Sequence, residues 1–72
     1  MAFTVVTACF DEGFDAVLAS GARLVINSDG LIFQLGPEDG TAVTAHEVEA
    51  ARSLAKAARG LAREMERLHR AR

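Results

Sequence analysis

Seventy-two residues make one domain at most, and a chain this short buries only about 60% of the surface its unfolded form exposes. Half of the residues are hydrophobic, but many of those are alanine and there is no Trp or Tyr, so the core is expected to be thin unless a partner subunit completes it. The net charge of -2 hides an asymmetry: through Glu49 eight carboxylates face Arg23 alone, whereas from Ala50 onward seven cations face only Glu64 and Glu66.

The first candidate element is Phe3 to Cys9, a β-branched and apolar run that reads as a strand. Phe14, Val17 and Leu18 then stand three and four apart with Gly21 behind them, which fits a short helix within residues 11–20. An extended reading of Ala16 to Ser20 is left open. Arg23 to Asn27 and Leu31 to Leu35 are two β-rich runs around Ser28-Asp29-Gly30. Asp-Gly adopts positive φ at little cost, so these runs predict a β-hairpin. Gly36, Pro37 and Gly40, with Glu38 and Asp39 among them, mark a surface loop.

A long helix follows, from Ala45 to about Arg70, roughly 39 Å at 1.5 Å per residue. Thr44 and Glu47 have capping-box spacing, and Val43 and Val48 have the spacing of a hydrophobic staple. Ala51, Leu54, Ala58, Leu61, Met65 and Leu68 fall on one face. Arg52, Lys56, Arg59, Arg63, Arg67 and Arg70 fall on the other. Gly60 interrupts the helix interior and would suit a bend or a close approach. The expectation is an α+β fold in a single domain: an N-terminal strand and a hairpin in one antiparallel sheet (acidic body, 1–43), packed by a basic amphipathic helix (44–72).

Catalytic and metal signatures are missing. The sequence has no Gly-rich phosphate loop, no His-Glu-x-x-His and no cysteine pair spaced for zinc. His46 and His69 sit at opposite ends of the helix, too far apart to share a metal or a proton within one subunit. Cys9 reads as a buried strand thiol, and Asp11, Glu12 and Asp15 as a solvated capping cluster without the ligand ladder of a calcium loop. No enzyme activity and no cofactor are expected. Cys9 is the only cysteine, so no intramolecular disulfide can form. With no basic stretch ahead of an apolar run and no apolar run of membrane-spanning length, the expected location is the cytoplasm, without membrane association.

From Phe14 to Lys56 the chain resembles the small N-terminal docking domains of bacterial megasynthase subunits, the TubC type. The resemblance is carried by Phe14, Val17 and Leu18 ahead of Gly21, then Leu24, Gly30-Leu31 and Phe33. Pro37, Gly40 and Val43-Thr44 follow, leading a helix with Val48, Ala51, Arg52 and Lys56. It implies protein docking in which the hairpin edge accepts a partner segment as an added strand, with Leu24, Val25, Ile26, Leu31, Phe33 and Leu35 forming the surface. The chain departs from that family in its N-terminal segment and in its arginine-rich extension.

Two functional expectations follow. The first is a non-catalytic protein-interaction module that docks to or inhibits a larger protein, in the manner of phage-borne inhibitors such as anti-CRISPR proteins. Its apolar contacts would come from the hairpin and from Leu61, Met65 and Leu68, the last three overhanging the sheet and pairing with a second copy or with the partner. The alternative is nucleic-acid binding along Arg52, Lys56, Arg59, Arg63, Arg67 and Arg70, against which stand the acidic body and the lack of interleaved aromatics.

Overall fold

The computed structural model describes residues 2–28 and 30–71. It contains a three-stranded antiparallel sheet and one long C-terminal helix, an α+β fold. The strands are β1 (Asp15–Ala19), β2 (Arg23–Ser28) and β3 (Leu31–Leu35), arranged as a meander with β2 in the centre. The helix is α1 (Ala45–Arg70). The chain divides into two compact units, Met1–Thr41 and Ala42–Arg72.

In the first unit the predicted hairpin forms. Ser28 pairs with Leu31 and Leu24 with Leu35, and Gly30 takes a φ of 76°, as a two-residue turn at this position demands. Met1, Asp29 and Arg72 lie outside the described residues.

The third strand is not the one expected. Residues 3–9 are irregular, and the segment expected as a short helix within 11–20 supplies β1 instead. Two physical reasons favour this outcome. A five-residue apolar pattern offers too little helix to offset nucleation. It is also joined to β2 by only Ser20, Gly21 and Ala22, so its pairing closes a far shorter loop than residues 3–9 could. The connection is tight: Gly21 and Ala22 have φ values of 78° and 57°, and the second of these is a left-handed conformation held by a residue with a Cβ.

The segment after β3 folds back against this turn. A Cβ on Gly36 would lie 2.9 Å from the Ala22 carbonyl oxygen, and one on Gly40 would lie 3.1 Å from that of Gly21. Close backbone approach therefore requires glycine at position 36, while a Cβ at position 40 would need the Gly21 carbonyl to give by a few tenths of an ångström. Beyond them Asp39 Oδ1 accepts from the Thr41 backbone N–H at 2.9 Å and from its hydroxyl at 2.8 Å. These bonds, the backbone one foremost, hold the Asp39 carboxyl below its usual range.

The N-terminal segment is fastened to the sheet at its inner end. Ser28, only 5% exposed, donates its hydroxyl to the Cys9 carbonyl at 2.7 Å. Phe14 N–H donates to Asp11 O at 3.1 Å to close a turn, across which the Phe10 and Phe14 rings meet edge to face at 4.7 Å. Cys9 itself is exposed. The expectation of a buried strand thiol fails because the strand that would have buried it does not form.

In the second unit the helix starts and stops where its sequence signals lie. Thr44 is the N-cap: its hydroxyl accepts from Glu47 N–H at 3.2 Å, and the Glu47 carboxylate accepts from Thr44 N–H at 3.0 Å. At the far end the Ala71 N–H caps onto Arg67 O at 3.1 Å. Arg67, His69 and Arg70 occupy the last turn, where the helix dipole favours positive charge.

Candidate protein-interaction surface

Strand alternation and the pairing register sort the sheet into two faces. Leu24 lies between Leu18 and Leu35, Ile26 between Ala16 and Phe33, and Ser28 beside Leu31. One face is therefore almost wholly apolar, broken only by the Ser28 hydroxyl that holds Cys9. Val17, Val25 and Ile32 alternate with Asp15, Arg23, Asn27 and Gln34 on the other face, where Arg23 Nη1 donates to Gln34 Oε1 at 3.1 Å.

Five of the six hairpin residues expected to form a docking surface thus come together: Leu24, Ile26, Leu31, Phe33 and Leu35. Val25 is placed on the opposite face. The residue that the sequence reading missed is Leu18, which at 79% exposure is the most open side chain of the apolar face. Assigning residues 11–20 to a helix concealed it, and the extended reading of Ala16 to Ser20 was the signal that could have found it. Among the described residues no hydrophobic side chain is buried.

The sheet has two edges, β1 and β3. Since β1 occupies one side of β2, the free edge of the hairpin is β3, where Leu31, Ile32 and Leu35 are all exposed. Unpaired N–H and C=O groups along an edge strand are a template for strand addition.

On the helix, Leu61, Met65 and Leu68 share the apolar stripe and are each about half exposed (48%, 45% and 52%). The cationic stripe is partly neutralised by its own helix. Arg52 Nη1 lies 3.0 Å from Glu49 Oε1, Arg70 Nη1 lies 3.7 Å from Glu66 Oε2, and Arg67 holds Glu64 with two guanidinium nitrogens. The Arg67 guanidinium pulls the Glu64 carboxyl below its ordinary range and is itself raised by the carboxylate. Lys56, Arg59 and Arg63 make no ion pair among the described residues.

His46 and His69 are exposed at the two ends of the helix. Among the described residues no group of three His, Cys, Asp or Glu side chains could hold a metal ion. No described helix is long and apolar enough to cross a membrane. Comparison with protein-family models, with curated proteins and with solved structures gives no match to this chain.

Proposed function

We propose that this chain is a non-catalytic protein-interaction module of the cytoplasm that docks to or obstructs a larger protein through the apolar face of its sheet and the free edge of β3. The observation that carries this reading is the exposure of that face: Leu18, Leu31 and Leu35 are open, and three strands need a covered apolar face for independent stability. The open β3 edge suits strand addition, the mode that the docking-domain resemblance implies, with the apolar face giving selectivity.

A second reading, nucleic-acid binding by the arginine stripe, is favoured only by Lys56, Arg59 and Arg63. The other three cations already have carboxylate partners in the same helix, which reduces the number of phosphates the stripe can neutralise.

One experiment separates the two. Tagged chain is used for affinity capture from a nuclease-treated bacterial lysate, beside the double variants Leu18→Lys/Leu35→Lys and Arg59→Glu/Arg63→Glu. The docking reading expects a stoichiometric protein that survives a high-salt wash, is lost with the lysine variant and is retained by the glutamate variant. Capture that vanishes with nuclease or salt, or that depends on Arg59 and Arg63 instead, overturns it.

A further inference from the structure

We infer that the apolar stripe of α1 is a homodimer surface on which two copies of the helix pair antiparallel. The inference concerns the helical unit alone and stands or falls independently of docking through the sheet. Ala51, Leu54, Ala58, Leu61, Met65 and Leu68 repeat with alternating steps of three and four over 18 consecutive helical residues. That mean period of about 3.5 keeps a seam in register along a second helix.

The neighbouring positions agree. Ala50, Ala55, Ala57 and Ala62 flank the seam, with Glu64 and His69 beside its C-terminal part, so much of the flank is small, while all six helical lysines and arginines lie outside the seam and its flanks.

The choice of a second copy, and of its direction, comes from side-chain volume. In the antiparallel register centred between Ala58 and Leu61, Ala51 meets Leu68 of the second copy, Leu54 meets Met65, and Ala58 meets Leu61. The twofold axis repeats the three pairs. Every alanine of the seam faces a leucine, and Leu54 on Met65 is the one layer without an alanine. A parallel dimer would stack alanine on alanine and leucine on leucine, alternating voids with crowding against the even density that interfaces require.

Charge points the same way. Antiparallel pairing opposes the two helix dipoles. Parallel pairing would set each arginine-rich end beside its twin. The seam is about 26 Å long, and two such helices would bury on the order of 1,000 Å², at the low end of specific interfaces. An interface of this size suits a dimer in exchange with monomer rather than an obligate one.

Sedimentation equilibrium of the full chain from about 1 to 500 µM tests this, with the concentration range set by the expected interface size. The expected result is a mass that rises from monomer to dimer, a Leu61→Lys variant that stays monomeric throughout, and an Arg59→Glu variant that still dimerises. Circular dichroism checks that Leu61→Lys keeps its helix. If it does not, Gly60→Ala is added to restore helicity from outside the seam, where a new Cβ meets nothing within 4 Å. Direction is read in a Cys9→Ser background under mild oxidation. Ala51→Cys chains mixed with Leu68→Cys chains should crosslink as a mixed disulfide, while Ala51→Cys alone should not. A monomer over the whole range, a dimer indifferent to Leu61→Lys, or ready self-crosslinking of Ala51→Cys would each overturn the inference.

Discussion

Replacing Gly36 by alanine tests the packing that shapes the end of the β3 edge. An alanine Cβ there would stand 2.9 Å from the Ala22 carbonyl oxygen and 3.4 Å from the Arg23 Cα. Both obstacles are backbone, so no side-chain rotation relieves the overlap; either the 36–41 segment or the 20–22 turn must move. Overpacking of this kind costs about 1–3 kcal/mol. Alanine also restricts the unfolded chain, which offsets about 0.4–1 kcal/mol, leaving a net loss of about 1–2 kcal/mol. At roughly 0.05–0.15 kcal/mol per residue, a unit of 41 residues has only about 2–6 kcal/mol in all, so the loss is a large fraction of its stability. Urea titration followed by the strand signal near 215 nm should show an earlier midpoint for Gly36→Ala than for the parent chain, with the helical signal near 222 nm keeping its amplitude in the absence of urea. Because Leu35 adjoins the displaced segment, capture by a docking partner should weaken as well. An unchanged or later midpoint would mean that the segment does not approach the turn in solution, and the account of Gly36 would be wrong.

Three further outcomes are expected. Thr44→Ala removes the hydroxyl that accepts from Glu47 N–H and should cost about 1 kcal/mol, seen as lower helicity at 222 nm, whereas Thr44→Ser should retain most of it. Asp39 and Glu64 have carboxyl pKa values lowered from 3.8 and 4.5 in the folded chain; each therefore contributes stability that is present above those values and lost only as pH falls through the lower folded ones. Urea midpoints should accordingly hold from pH 7 to pH 5 and begin to fall below about pH 4, and Glu64→Gln should remove the part of that fall that comes from the helix. Cys9 is exposed, so one thiol per chain should react with Ellman's reagent without denaturant; a thiol that reacts only after urea is added would restore the buried reading.

The hairpin and the helix were legible because their signals are local. Asp-Gly between two β-rich runs specifies its own turn, and Thr44 with Glu47 specifies the first helical turn before any tertiary contact is made. The identity of the third strand was a different kind of question. Asp15 to Ala19 carries apolar residues at spacings that suit a short helix and a strand equally, and residues 3–9 have the stronger β composition. What decides between them is the length of the connection to β2, a property of the whole sheet that no five-residue window contains. The docking face inherited the same blind spot. The docking-domain resemblance grouped Leu24, Val25, Ile26, Leu31, Phe33 and Leu35 without regard to face, whereas Leu18 joins the apolar face only through the register of β1, and Val25 leaves it through the parity of β2.

The two apolar surfaces have different grammars, and this bears on how the chain would act. On the sheet the apolar face takes every second residue of each strand and ends at an open edge, which another strand can extend. On the helix the apolar residues repeat at a mean of about 3.5, a spacing that a second helix matches. A weak helical dimer carrying two sheet units would present two docking faces at once. The second docking event then becomes intramolecular, so a modest affinity at each face suffices for a long-lived complex with a larger protein that offers two sites. With no buried apolar side chain among the described residues, affinity at any one face is limited by the ordering it must bring about. Pairing through the helix raises avidity without asking the sheet for a larger surface.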